Sequence, residues 1–294
     1  MTILQQCING LMLGSTYSLL AIGYTLVFGV LQMLNLAHGE VYMIAAFFAW
    51  AMVTMMKLPF FAAFIIASLI ASLSGLLIEL LCFRLVNKDY PLASLLSTIG
   101  LGIVLQNFAL VFSKGEMVRF PSAFHDFNIN IGGLAISGVH VLILSIGIAL
   151  MLSLQVLIFK TNIGKALRAV AENRVVAGMF GLNVNFIVGV TFVISSGLAG
   201  VAGVLTAMAY HSITPFMGVE MGLKGLTVIV LGGMGSLTGA MIGGLMLGLG
   251  EVLAMGYLPM CLIGYKDAIA FIMLIMVLLI KPSGLMGRSQ EVKV

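Results

Sequence analysis

The sequence predicts an all-α polytopic membrane protein, with about eight to ten transmembrane or re-entrant helices and one short cytoplasmic helix. Three observations carry this. Of the 294 residues 61% are hydrophobic and 8% charged, where a soluble domain carries roughly 25% charged residues. The uncharged runs are long: no Asp, Glu, Lys or Arg precedes Glu40, none lies between Asp126 and Lys160, and none between Arg174 and Glu220. Each run exceeds the roughly 20 apolar residues that a spanning helix needs. Pro59, Pro91, Pro121, Pro215, Pro259 and Pro282 fall in or beside the breaks, where a missing N–H does least harm. An outer-membrane barrel would alternate apolar and polar residues, which these runs do not.

The breaks give helices at 8–31, 40–57, 60–83, 92–113, 138–159 and 184–209, a glycine-broken region at 225–255, and a last helix at 266–281. The first is a retained span rather than a cleaved leader, because the first basic residue is Lys57 and no basic segment precedes the apolar run. The whole chain, 1–294, reads as one membrane domain with a cytoplasmic segment at 160–183.

Orientation follows from the basic residues. Segments 84–91, 160–174 and 281–294 hold nine of the fourteen Lys and Arg, which assigns them to the cytoplasm. Loop 114–137 then faces outward, as a small exposed loop with a turn. If 160–174 and the tail share one side, an even number of crossings separates them. Helices 184–209 and 266–281 supply two, so 225–255 is expected to enter and leave on one face as a re-entrant or discontinuous element. Nine of residues 225–250 are glycine. The row Gly235, Gly239, Gly243, like Gly10, Gly14, Ser18 in the first helix, suits close helix packing in lipid. GGMGS at 232–236 also suits a broken helix lining a path.

Polar residues inside apolar segments are the candidates for that path: Asn35, His38 and Glu40 in NLAHGE, Gln106 and Asn107 in the fourth helix, and Gly233, Gly235 and Ser236. Intramembrane charge is costly and marks pathways. A plainer reading stays open for Glu40, which suits the positive N-terminus of the following helix, and for the amides, which commonly bond between helices. One His and one Glu are too few for a metal site, and Cys7, Cys82 and Cys261 lie far apart in apolar surroundings. No catalytic motif and no phosphate-binding GxxxxGK[ST] occurs, so neither enzymatic chemistry nor ATP binding is expected in this chain. The few basic residues sit in loops, which argues against nucleic acid as a partner.

The densest charge lies in KTNIGKALRAVAENRVVAGMFGLN, 160–183. It reads as one amphipathic helix outside the membrane. Asn162 suits its N-cap and Gly181 the position after its last residue. Leu167, Val170, Ala177 and Phe180 form one face, Lys165, Arg168 and Glu172 another. Arg168 and Glu172 are spaced to pair. Both an ordinary interfacial helix and a docking helix for a protein fit this pattern.

GKALRAVAENRVVAGMFGLNV, then SSGLAGVAGVL, then GLKGLTVIVLGGMGSLTGAMIGGLMLGL, with LGSTYSLLAIGYTLVFGVLQMLNLAHGEVYM near the N-terminus, resembles the permease family of branched-chain amino-acid ABC transporters, and within it the high-affinity LivH-type subunits. The four blocks occur in the family's order over nearly the whole chain. The resemblance implies a multi-pass permease in a bacterial inner membrane, importing leucine, isoleucine and valine. Its implied partners are a second, homologous permease, two cytoplasmic ATPase subunits that bind ATP and Mg, and a periplasmic substrate-binding protein. Segment 163–181 corresponds to the family's coupling loop, with Lys165, Arg168, Glu172, Asn173 and Gly181 as its coupling residues, of which Arg168, Glu172 and Asn173 make the contacts and Gly181 the turn. Permeases of this kind also serve urea and short amides. A stand-alone secondary transporter or channel, or a membrane scaffold, are the alternatives from other classes.

Overall fold

A computed structural model describes residues 3–86, 91–121, 128–131, 134–259 and 265–287. Residues 87–90, the loop centre at 122–127, Cys261 and the tail beyond 287 lie outside the described residues. The chain runs α1 (Ile3–Leu31), α2 (His38–Thr54), α3 (Phe60–Ile78) with a π-helical continuation (Glu79–Arg84), and α4 (Pro91–Ser113). Short strands β1 (Val118–Arg119), β2 (Asn128–Ile131) and β3 (Leu134–Ser137) follow, then α5 (Gly138–Lys160), α6 (Asn162–Glu172), α7 (Arg174–Met179) and α8 (Val184–Tyr210). The chain closes with β4 (Ser212–Ile213), α9 (Met217–Gly232), α10 (Leu237–Tyr257) and α11 (Lys266–Ile280).

Among the described residues six helices are long and apolar enough to cross a membrane; α2, α9 and α11 have 17, 16 and 15 residues. Burial sorts them into layers. The most apolar stretches of α1 and α8 are 89% and 78% buried, those of α3, α4 and α5 only 28%, 17% and 28%. Ser15, Thr16 and Thr25 of α1 return their hydroxyls to carbonyls of their own helix at 2.7–2.8 Å, which removes the penalty for burying them. Ser18 instead donates across to Met241 O at 2.7 Å. The glycine row of α1 meets α10: a Cβ on Gly14 would lie 2.8 Å from Leu245 Cα, and one on Gly10 2.8 Å from Leu249 Cα. Small residues here admit backbone contact, as the sequence predicts.

The 225–255 region differs from its expected form. It is a hairpin of two antiparallel helices, and the first begins earlier, at Met217. The physical reason is local: Gly233 (φ 102°) and Gly235 (φ 83°) adopt backbone open mainly to glycine, which lets the chain reverse within 233–236. Leu285 N and Met286 N donate to Leu231 O and Gly232 O, both at 2.9 Å, fastening the tail over this turn.

At the opposite end β1 pairs with β4, Val118 opposite Ile213, and β2 pairs with β3 as a backbone hairpin within the loop 114–137. One further feature positions the site. After α1 ends at Leu31 the chain doubles back, so that α2 starts at His38 beside Tyr24, ring centroids 4.5 Å apart. That is seven residues short of the end of α1, about 10 Å at the helical rise.

Candidate functional site

The N-terminal turns of α2 and α9 cross at their glycines. A Cβ on Gly39 would meet Gly218 O and lie 2.8 Å from Gly222 Cα, and one on Gly218 would meet the Glu40 carboxylate. Two helix N-termini, each carrying partial positive charge, thus converge beside one acid. Glu40 is only 4% exposed, and its Oε2 has no hydrogen-bond partner. It lines a cavity of about 220 Å³ with Tyr24, Leu36, Ile99, Gln106 and Gly218. The cavity rim is apolar, with Ile99, Ile103, Val219 and Leu223 all exposed. The result is a single acidic group at the base of an apolar-mouthed cavity, suited to a small cationic or zwitterionic head with an aliphatic body.

The path candidates divide three ways. Glu40 and Gln106 meet in this cavity. Asn35 and His38 are buried at its edge: Asn35 Oδ1 accepts from Ala37 N at 3.2 Å to start α2, and His38 packs on Tyr24. Thr98 Oγ1 accepts from Leu36 N at 3.3 Å, tying this turn to α4. Asn107 lies apart, exposed, with its amide donated to Ile103 O of its own helix at 2.8 Å. Gly233, Gly235 and Ser236 lie apart too. They form the α9–α10 turn under the tail, and Ser236 Oγ caps α10 by accepting from Gly239 N at 3.1 Å.

A buried ionic cluster was missed by the sequence reading. Lys224 Nζ of α9 lies 2.7 Å from Glu251 Oε1 of α10, 2.9 Å from Asp267 Oδ1 of α11 and 3.1 Å from Tyr17 OH of α1. Tyr17 OH also donates to Glu251 Oε2 at 2.9 Å. Lys224 was readable as the lone cation of a helix that the sequence placed too late in the chain. It binds four helices together.

At the basic end, 160–183 is two helices, not one. Asn173 is extended (φ −157°, ψ 110°) and its side chain accepts from Val175 N and Val176 N at 3.0 and 3.1 Å, ending α6 and capping α7. The cap of α6 is Thr161, accepting from Gly164 N, rather than Asn162. Leu167, Val170 and Ala177 are buried as expected, but Phe180 is 84% exposed, because the break at Asn173 turns α7 away from the face of α6. Lys165, Arg168 and Glu172 are exposed. Arg168 does not pair with Glu172 among the described contacts; it lies over the Phe159 ring at 5.4 Å. Arg174 turns inward and donates twice to Val30 O, at 3.0 and 2.7 Å. Gly181 has φ 83° and redirects the chain into α8. Val175, Met179 and Phe180 are left outward, an apolar patch flanked by charge.

The comparisons with known proteins agree with this architecture. The family described as "Branched-chain amino acid transport system / permease component" matches residues 6–278. The chain is 40% identical over 306 aligned positions to the high-affinity branched-chain amino acid transport system permease protein LivH of Escherichia coli, covering 99% of this chain and 97% of that one. It is 39% identical to the permease protein BraD of Pseudomonas aeruginosa, covering 99% and 98%. Among solved structures, PsaBC from Streptococcus pneumoniae in complex with Fab matches with a TM-score of 0.50 at 18% identity, over 96% of this chain and 93% of that one, a likeness of fold alone. With a family match over residues 6–278 and relatives of that identity along their full length, this chain belongs to the branched-chain amino acid transport permease family.

Proposed function

We propose that this chain is the permease subunit through which an ATP-driven importer moves branched-chain amino acids across a bacterial inner membrane. The observation that carries this is the near-complete alignment with LivH and BraD, whose names specify that substrate class. The Glu40 cavity suits such solutes: an acid for the ammonium, an apolar wall for the aliphatic side chain. ATP and Mg bind on two partner ATPases, which dock on the patch formed by α6 and α7 with Lys165, Arg168, Glu172 and Asn173 outermost and Gly181 as the pivot into α8. A second permease covers the α4–α9 face, because an acid in a cavity open to lipid is costly. A periplasmic binding protein delivers the solute to the end bearing β1 and β4. A stand-alone secondary transporter would spend Glu40 on ion coupling, since Glu251 is held by Lys224, and the dependence of uptake on ATP separates the two readings. Urea and short amides lack the positive head that Glu40 suits.

Mild-detergent purification of the tagged chain tests the reading, followed by reconstitution with whatever co-purifies. Two ATPases and a second permease are expected, with ATP-dependent uptake of leucine. A homodimer that moves solute without ATP would overturn it.

A further inference from the structure

A second polar cavity, of about 440 Å³, lies at the basic end, where the π-helical end of α3, the end of α1 and the starts of α7 and α8 meet. It shares no lining residue with the Glu40 cavity. Its three charged groups come from two places, Glu79 and Arg84 from the π-helical end of α3 and Arg174 from α7. Glu79 is 3% exposed; Arg84 Nε holds its Oε1 at 3.1 Å, while its Oε2 has no hydrogen-bond partner. Arg84 also reaches Asn185 O at 3.5 Å, which fixes it against α8. Arg174 spends Nε and one terminal nitrogen on Val30 O, leaving its other N–H groups unspent. Burial lowers its pKa, as expected for a guanidinium without a facing acid. Phe83 and Val188, both 6% exposed, supply apolar wall.

One acid with an open oxygen, one guanidinium with open donors and an apolar wall match a specific chemistry. We propose that this cavity binds a free aliphatic α-amino acid from the cytoplasmic face, with the ammonium at Glu79 Oε2, the carboxylate at Arg174 and the side chain toward Phe83 and Val188. The proposal rests on the reading of the chain as an amino-acid permease, and makes the cavity a site for accumulated product. A simple anion would satisfy Arg174 but leave Glu79 Oε2 unpaired, so a zwitterion fits better than phosphate. Arg174 is the first residue of α7 and is bonded to the end of α1. A ligand there touches both the docking surface and the innermost helix, so its binding is expected to slow the pump as product builds up.

The test uses the complete transporter in nanodiscs, without binding protein, and radiolabelled leucine. Leucine is expected to bind there and, once binding protein is added to the same nanodiscs, to slow the stimulated ATP hydrolysis several-fold. 4-Methylpentanoate and 3-methylbutylamine, each lacking one charge, should compete at least tenfold more weakly. Glu79→Gln should lose this binding. Should Glu79→Gln fail to assemble, the competition series on the unaltered transporter decides. No leucine binding while uptake in proteoliposomes is intact would overturn the proposal and leave the transport reading standing. Equal competition by 4-methylpentanoate would show a plain anion site and also overturn it. Absence of leucine uptake altogether would remove the transport reading, and this proposal with it.

Discussion

Of the buried glutamates, Glu251 and Glu40 have opposite surroundings. Glu251 is 2% exposed and answered on both oxygens, by Lys224 and by Tyr17. Glu40 is 4% exposed, has an oxygen with no partner and borders a cavity. A buried acid that is fully paired holds helices in place; one left open at a cavity is available to something that arrives. Glu40 sits where the N-termini of α2 and α9 cross rather than beside a counter-ion, so its open oxygen is not consumed among the described residues.

The largest expected effect comes from removing the partner of the closed acid. Lys224→Met strands Glu251 and should cost about 3–5 kcal/mol, since an uncompensated buried charge remains. Thermal unfolding in detergent reads this, and the double variant Lys224→Met with Glu251→Gln should recover part of the loss. An unchanged melting curve for the single variant would show that the cluster does not hold the bundle.

Next in size is Gly39→Ala, which places a methyl group against the backbone of α9 and should cost about 1–3 kcal/mol through overpacking. Gly29→Ala is the control: nothing lies within 4 Å of its Cβ, and helix propensity favours alanine by up to about 1 kcal/mol. Equal behaviour of the two would contradict the close crossing that holds Glu40.

Glu40→Gln removes no partner, so stability should move by less than about 1 kcal/mol, while leucine uptake should fall at least tenfold. Normal uptake would return Glu40 to the role of helix-end charge. Smallest for stability is the swap Arg168→Glu with Glu172→Lys, because both side chains are exposed and do not pair. It should leave the melting temperature unaltered yet weaken ATPase association by orders of magnitude, as reversed charges across an interface cost several kcal/mol. Full uptake with ATPases bound would remove both residues from the docking surface.

The layout of the membrane helices was legible because the signal is coarse: long uncharged runs bounded by proline, glycine and basic residues fix where helices start and stop. The α9–α10 hairpin was half legible. Its glycines announced a turn at 233–236, but the start of α9 at Met217 was hidden, because Glu220 and Lys224 break the apolar pattern that marks a span. Lys224 finds its partners only once α10 and α11 fold beside α9, a distance of 27 residues to Glu251 that periodicity cannot read. Glu40 and Gln106 share a cavity through the doubling back of 32–37, which also has no signature in residue spacing. The break at Asn173 was visible as a capping residue type, yet the amphipathic pattern on either side argued for continuity.

The burial of α1 bears on how the protein is made. Of the six candidate spans among the described residues α1 is the most enclosed in the finished molecule, and its glycine face is covered by α10, which begins at Leu237. At synthesis rates of about 5–20 residues per second, the intervening 206 residues from Leu31 to Leu237 take roughly 10–40 s. For that interval Gly10, Gly14 and Ser18 lie in the bilayer without their final neighbour. A newborn chain in this state presents a sticky groove to any other newborn copy, so slow or crowded translation should favour misassembled dimers through α1. Insertion machinery that shelters the first helix until the last ones arrive would relieve that hazard.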